Sequence, residues 1–86
     1  MQKYDNNFIN ADDFVDCVKR GCEIEFVYNN KNYSITHHNN KVIAIEVINK
    51  DSEMEFDNPA DVLKFPLGDK KLGDILQDMK IIFRTF

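Results

Sequence analysis

Two adjacent histidines, His37 and His38, are the residues whose type most directly suggests chemistry. Imidazole changes its protonation state near neutral pH and binds metal ions, so a histidine pair can support acid–base catalysis or a metal site. Adjacent residues of a strand point to opposite faces, however, and the two rings then do not converge on one ion. We predict that both are solvated residues of a hairpin tip. An enzyme that pairs one of them with a carboxylate is the alternative.

The two cysteines, Cys17 and Cys22, lie five residues apart across the predicted end of a helix. No histidine stands near them with the spacing of a zinc site. A reactive thiol needs a positive and partly exposed setting, which only Lys19 and Arg20 could provide. We therefore predict two free thiols that pack in the core, and no metal or cofactor.

Carboxylates form the third group of candidates. Glutamates occupy every second position in residues 23–25 and 53–55, so each pair shares one face of a strand. Catalysis by carboxylates needs a cleft that shifts a pKa, and no such cleft is predicted. The alternatives are a solvated polar face and an acidic surface that presents spaced charges to a basic groove of a partner. The candidate partner-binding residues are Asp12, Asp13, Asp16, Glu23, Glu25, Glu53 and Glu55.

Other signatures of catalysis are missing from the sequence. The three glycines, Gly21, Gly68 and Gly73, are scattered and do not form a phosphate-binding loop. No serine stands in the context of a nucleophile elbow. We predict a protein that is not an enzyme, with no catalytic residue and no metal ligand.

Length and charge narrow the class of protein. A chain of 86 residues supports one core, so we predict a single domain over residues 1–86, with residues 1–9 flexible. The net charge of −4 repels phosphates and disfavours direct binding of nucleic acid. No segment resembles a signal peptide, and no apolar run approaches the roughly 20 residues that span a bilayer. We predict a reduced, cytoplasmic protein without membrane contact.

The clearest predicted element is a helix over residues 11–20. Asn10 has the residue type and position of an N-cap, and Ile9 and Phe14 have the spacing of a hydrophobic staple. Gly21 suits the left-handed residue that follows a helix.

Strands follow this helix. Apolar residues alternate with charged ones in residues 22–28, which is typical of a half-buried strand. Residues 31–36 and 41–48 continue the pattern, and the intervening pairs Asn29-Asn30 and Asn39-Asn40 favour tight turns. The three strands are predicted to form an antiparallel meander.

The last third of the chain is predicted to return to helix. Residues 53–56 are a short fourth strand, and Asn58 and Pro59 have the types expected at the start of a short helix through residue 64. Tail residues 81–86 are rich in β-branched and aromatic types, which favours a terminal strand. A longer helix is predicted from the i, i+3, i+4, i+7 spacing of Leu72, Ile75, Leu76 and Met79.

These elements define the predicted fold class. It is α+β, with an N-terminal helix, an antiparallel meander of three to four strands, one short and one longer C-terminal helix, and a terminal strand. The third strand is apolar on both faces, and we predict that part of it shares an outer face with Val27. Such a patch needs cover from the last helix, the tail or a second chain in a two-fold dimer. The candidate dimer-face residues are Val27, Val42, Ala44 and Ile48.

Several short segments carry a resemblance that covers residues 14–76. They are Gly21, Glu23-Ile24-Glu25-Phe26-Val27-Tyr28, Tyr33-Ser34-Ile35 and Leu67-Gly68-Asp69-Lys70-Lys71-Leu72. In these the chain resembles small uncharacterised proteins of low-GC Gram-positive bacteria and their phages. The resemblance is one of strand alternation and turn residues, so it implies no catalytic position.

By size, charge and suspected source the chain is also similar to anti-CRISPR and related anti-defence inhibitors. That similarity implies a phage or mobile-element inhibitor that binds a bacterial defence protein, such as a nucleic-acid-binding effector nuclease, through its acidic surface. The alternative is a small homodimeric regulatory protein of the host cytoplasm.

Overall fold

Antiparallel strands dominate the secondary structure of the chain. A computed structural model describes residue 8 and residues 10–85. Two short 3₁₀ segments, at Pro59–Lys64 and Leu72–Asp74, lie between strands. The regular elements are α1 (Ala11–Lys19), β1 (Ile24–Tyr28), β2 (Lys31–His38), β3 (Lys41–Glu46), β4 (Asn49–Phe56), β5 (Pro66–Leu67), β6 (Lys70–Lys71) and β7 (Lys80–Arg84).

The helix predicted near the N-terminus is present as α1, and its first turn is capped as expected. Asn10 Oδ1 accepts a hydrogen bond from the Asp13 amide at 2.9 Å, which satisfies one of the free amides of the first turn. The predicted staple involves Ile9, which lies outside the described residues. Phe8 meets Phe14 edge-on instead, with the ring centroids 5.0 Å apart.

The chain leaves α1 through a Schellman motif. Gly21 has φ +86°, its amide donates to the Val18 carbonyl at 3.0 Å, and the Cys22 amide donates to the Cys17 carbonyl at 3.1 Å. The left-handed conformation turns the chain directly into β1.

In the described part of the chain, no helix combines the length and apolar character needed to cross a membrane.

Residues 1–9, predicted to be flexible, lie outside the described part of the chain apart from Phe8. Phe8 is 1% exposed, its carbonyl accepts a hydrogen bond from Gln77 Nε2 at 3.0 Å, and its ring lies 4.1 Å from the Arg84 guanidinium. Phe8 therefore belongs to the core.

Two asparagine pairs close the first two hairpins. Asn29 and Asn30 have φ values of 54° and 65°, and Asn39 and Asn40 have φ values of 53° and 67°. Two successive left-handed residues define a type I′ turn, whose twist matches that of the flanking strands. The turns set the register, with Tyr28 opposite Lys31 and His38 opposite Lys41.

Five strands form one antiparallel sheet in the order β4-β3-β2-β1-β7. The first four strands follow one another as a meander, and β7 returns to pair with β1. The register between β1 and β7 shifts between Glu25 and Phe26, which marks a bulge. β4 and β7 are therefore the two edges of the sheet.

One face of this sheet packs against α1 and the chain segment between β4 and β7 to form the core. Phe26 stacks on Tyr33 with ring centroids 5.2 Å apart, and Tyr33 meets Phe65 edge-on at 6.4 Å. The buried side chains on this face of the sheet are Ile24, Phe26, Tyr33, Ile35, Val42 and Ala44.

The predicted fold class is wrong in the C-terminal third, where no α-helix is found among the described residues. Pro59–Lys64 is a 3₁₀ helix, with Asn58 Oδ1 accepting from the Ala60 amide at 3.0 Å. The predicted longer helix is a 3₁₀ turn over Leu72–Asp74 followed by further turns, and β7 follows. The described part of the chain is mostly antiparallel sheet, with one α-helix.

Successive tight turns explain why residues 72–79 mimic a helix in sequence. The Ile75 amide donates to the Leu72 carbonyl, and the Asp78 and Met79 amides both donate to the Ile75 carbonyl. Each turn advances three or four residues, so the apolar side chains still lie on one side of the segment, as they would on a helix. Their exposed fractions are Leu72 0%, Ile75 0%, Leu76 4% and Met79 2%.

The predicted outer face of the third strand is also wrong. Val42 and Ala44 are 2% and 1% exposed and lie in the core, opposite His37 and Ile35 of β2. Facing residues of an antiparallel pair share a face, so the core position of Ile35 places Ala44 in the core. Two of the four candidate dimer-face residues are therefore unavailable to a partner.

Candidate functional site

The sheet face that points away from α1, here called the outer face, is not covered by any element in the described part of the chain. Its aliphatic residues are Val27 on β1 and Ile43 and Ile45 on β3, and all three are half-buried. Phe83 of β7 pairs with Glu25 of β1 and is 47% exposed. The outer face thus exposes apolar side chains to solvent.

Strand register places these residues in two rows across the sheet. One row runs through Phe83, Glu25, Ser34 and Ile45. The other runs through Thr36, Ile43 and Glu55. The two isoleucines of β3, here called the apolar centre, therefore lie beside the hydroxyl residues Ser34 and Thr36 of β2, and Glu55 of β4 lies opposite Ile43 on the other side.

Glutamates border this apolar centre on both sides. Glu25 lies on β1 and Glu55 on β4, and both are exposed. Glu23 directly precedes β1, and Glu53 lies in β4 beside Met54, where the register with β3 shifts. Three strand spacings separate β1 from β4, which amounts to about 14 Å at about 4.8 Å per strand. The register therefore places two of the seven candidate carboxylates, Glu25 and Glu55, on the outer face.

The other three candidate carboxylates lie elsewhere. Asp12, Asp13 and Asp16 belong to α1, which packs on the opposite side of the sheet. Asp16 Oδ2 also pairs with Arg20 Nε at 3.2 Å. The seven predicted partner-binding residues thus do not form a single acidic patch.

The turn between β3 and β4 exposes two further aliphatic residues. Val47 is 40% exposed, and its amide donates to the Asn32 carbonyl at 2.9 Å, which extends the pairing of β2 and β3. Ile48 is 81% exposed at the tip of the turn. Of the candidate dimer-face residues, Val27 and Ile48 are therefore accessible, but at different places on the sheet.

The two histidines differ in their surroundings. His37 Nε2 lies 3.0 Å from the Val18 carbonyl oxygen, and since a carbonyl only accepts, Nε2 carries the proton and donates it. His37 is half-buried and ties β2 to the end of α1, so its predicted position in solvent is wrong. His38 is exposed as predicted.

Both imidazoles line an open groove of about 410 Å³ between the end of α1 and the β2–β3 turn. Because the His37 Nε2 proton is held by a backbone carbonyl, that nitrogen is not available to a substrate in the groove. Asp57 also lines this groove, but Lys41 Nζ pairs with its carboxylate at 3.3 Å. In this groove, His37 Nε2 and the Asp57 carboxylate are thus each engaged by another group of the chain.

The two cysteines are free thiols in the core, as predicted, with Cys17 0% and Cys22 2% exposed. Burial raises the pKa of the Cys17 thiol to about 11, and a hydrogen bond with the Cys22 side chain acts in the same direction. In residue 8 and residues 10–85, no three His, Cys, Asp or Glu side chains are grouped so that they could hold a metal ion.

Comparison with known proteins adds no relative. No family model, no curated protein and no solved structure matches the chain. The resemblance to phage and anti-defence proteins therefore stays a prediction.

Sequence reasoning missed Ile43, Ile45 and Phe83 as residues of the outer face. A signal for the two isoleucines was present in the Asn39-Asn40 turn. A two-residue turn places His38 opposite Lys41, and counting back along both strands brings Ile35 opposite Ala44. Since Ile35 belongs to the apolar face of β2, Ala44 faces inward and its neighbours Ile43 and Ile45 face outward.

Proposed function

We propose that this protein is a non-catalytic binding module that docks on a partner protein through the outer face of its sheet. The observation that supports this most directly is the position of Ile43 and Ile45. They are half-buried on a face that nothing in the described part of the chain covers, between two borders of glutamate. Apolar centres with a polar rim are the usual anatomy of a protein interface.

Charge favours a basic partner over a second copy of the chain. Glu25 and Glu55 border the apolar centre on opposite sides, and stacking two outer faces would bring like charges together in one interface. Such juxtapositions cost several kcal/mol, whereas a basic groove would complement them. The partner is therefore a protein that offers an apolar contact flanked by lysine or arginine.

Proteins that bind nucleic acids have such basic grooves. A nucleic-acid-binding defence effector of a bacterial cell, such as a CRISPR effector nuclease, is the partner that we propose, and the protein is then a phage or mobile-element inhibitor that acts in the host cytoplasm. The net charge of −4 and the glutamates on two strands about 14 Å apart support this choice.

A cleavage assay with a purified effector nuclease tests the proposal. We expect the wild-type protein to reduce cleavage at molar excess, and Glu55→Lys to restore it, because the substitution places a positive charge in the border of the outer face. Asp69→Lys is the matched control, since it changes the net charge equally at an exposed turn outside the five-stranded sheet.

Three outcomes separate the parts of the proposal. Undiminished cleavage with several effectors would reject a defence effector as the partner. Equal loss of inhibition in Glu55→Lys and Asp69→Lys would show an effect of net charge and reject the outer face. Retained inhibition in a double Ile43→Ser, Ile45→Ser variant would likewise reject the apolar centre as the contact.

A homodimeric regulatory protein is the second candidate, and one observation favours a different surface for it. Ile82 and Phe83 on edge strand β7 are 51% and 47% exposed. Open edges of this kind pair readily with another strand. Light scattering across a wide concentration range tests this candidate, because a strictly monomeric species at high concentration would reject it.

A further inference from the structure

The Schellman motif at the end of α1 places two cysteines at its two contacting positions. In this motif the third residue from the helix end and the second residue beyond its cap bring their side chains together. The hydrogen bond from the Cys22 amide to the Cys17 carbonyl, 3.1 Å long, identifies Cys17 and Cys22 as these residues.

The backbone geometry suits a covalent bond between the two sulfur atoms. A disulfide needs two Cα atoms within about 7 Å and side chains that point toward each other. A Schellman turn held by the Cys22–Cys17 and Gly21–Val18 hydrogen bonds brings the residues at these two positions side by side. Cys17 and Cys22 lie in the same core cluster, so neither has to leave the protein interior.

We propose that Cys17 and Cys22 are a redox-active pair that forms an intramolecular disulfide with a small disulfide oxidant such as oxidised glutathione. The thiolate of one cysteine attacks a glutathione sulfur, which breaks the oxidant's S–S bond and releases one glutathione. The second cysteine then attacks the protein sulfur of the mixed disulfide and releases the other. Two protein thiols are oxidised, one oxidant disulfide is reduced, and the two protons pass to the released glutathiones.

The end of β7 controls access to this pair. The Cys17 thiol lies 3.9 Å from the Thr85 carbonyl oxygen, to which it donates. Two hydrogen bonds fix Thr85 beside β1, from the Glu23 amide to Thr85 Oγ1 at 2.8 Å and from the Thr85 amide to the Glu23 carbonyl at 3.0 Å. Because both thiols are buried, oxidation proceeds through a state in which Thr85 has separated from Glu23.

Oxidation joins the last turn of α1 to Cys22, two residues before β1, and removes the S–H donor that holds the Thr85 carbonyl. We therefore expect the end of α1 to open less often in the oxidised protein than in the reduced protein. The last residues of β7 are expected to open more often. Hydrogen exchange at the Thr85 amide reports this second effect directly.

The test uses the full chain at neutral pH in buffers of defined oxidised-to-reduced glutathione ratio. Free thiols are alkylated after an acid quench, and intact masses are measured. We expect a species that has lost two hydrogen atoms and takes up no alkylating agent. Cys17→Ser and Cys22→Ser cannot form it, and each is expected to stop at the glutathione adduct of the remaining thiol.

The role of the β7 end is tested by Thr85→Val, with Thr85→Ser as the control that keeps the hydroxyl. Loss of one hydrogen bond of about 1 kcal/mol raises the open population about fivefold, and the oxidation rate with it. Circular dichroism of both variants verifies the fold.

The proposal is overturned if the wild-type protein accumulates only the glutathione adduct, forms disulfide-linked dimers, or stays fully reduced at the most oxidising ratio. Equal oxidation rates for Thr85→Val and Thr85→Ser would show that the end of β7 does not control access to the two thiols.

Discussion

The two faces of β3 carry apolar side chains of different size, and the larger ones point outward. Val42 and Ala44 lie in the core, whereas Ile43 and Ile45 are half-buried on the outer face. Side-chain hydrophobicity alone would place the isoleucines inside. The comparison shows that pairing register, set by a two-residue turn, decides which face of a two-sided strand is buried.

Truncation of an inner-face aromatic residue is expected to have the largest effect. Phe26→Ala leaves a cavity beneath the stacked Tyr33 ring and should cost about 3–5 kcal/mol of unfolding free energy. The neighbouring outer-face change Val27→Ala should cost about 1 kcal/mol or less. Urea titrations of both variants measure the difference, and similar costs would contradict the contrast between the faces.

Alkaline pH should destabilise the protein through groups buried on the inner side. Burial raises the pKa of the Cys17 thiol from 9.0 to about 11, and burial followed by the Glu46 charge raises the pKa of Tyr33. A raised pKa means that the folded state keeps a proton that the unfolded state releases. The contribution of Cys17 to the unfolding free energy is therefore fully present below about pH 9, and it is lost as the pH rises through about 11.

Thermal unfolding between pH 8 and 11 measures this loss. Cys17→Ala lacks the thiol and should lose less stability over the same range, each variant being compared with its own value at pH 8. An unchanged slope in Cys17→Ala would show that the Cys17 thiol is not the group responsible.

Changes in the β2–β3 turn test the cost of the left-handed backbone conformation that sets the register. Asn40 has φ 67°, a conformation that alanine adopts at a cost of about 1–2 kcal/mol and glycine adopts freely. We expect Asn40→Ala to lower the unfolding free energy by about 1 kcal/mol and Asn40→Gly to leave it nearly unchanged. Equal losses in the two variants would indicate that the asparagine side chain, not the backbone conformation, is required.

A conservative change at the centre of the outer face is expected to have the smallest effect on stability. Ile45→Thr keeps a β-branched residue on a solvent-facing strand position and should change the unfolding free energy by about 0.5 kcal/mol or less. Ile35→Thr, opposite Ala44 in the core, is the matched inner-face change and should cost several times more. A loss above about 2 kcal/mol in Ile45→Thr would indicate that the outer face is covered.

Local signals in the sequence predict the first half of the fold. The cap at Asn10, the left-handed Gly21 and the two asparagine pairs each determine the backbone within a few residues, so α1 and the β1–β3 meander follow from them. The glutamates of β1 and β4 are likewise identified as surface residues by alternation alone.

The second half of the fold depends on contacts that local patterns do not contain. Leu72 and Met79 have helical spacing, yet tight turns satisfy the same spacing and bury the same side chains. A Cβ at Gly73 would lie 3.3 Å from the Leu63 carbonyl oxygen, so this segment packs closely against the preceding 3₁₀ helix. The outer-face isoleucines required the register of β2 and β3, which alternation within one strand leaves undetermined.

The position of β7 beside β1 has a consequence for the order of folding. β1 to β4 are consecutive hairpins that can pair as soon as each is synthesised, but β1 acquires its second neighbour only after residues 29–79 have followed it. At about 5–20 residues per second, a nascent chain holds β1 as an unprotected edge for several seconds. Closure by β7 is the most non-local pairing in the sheet, and we expect it to limit the folding rate.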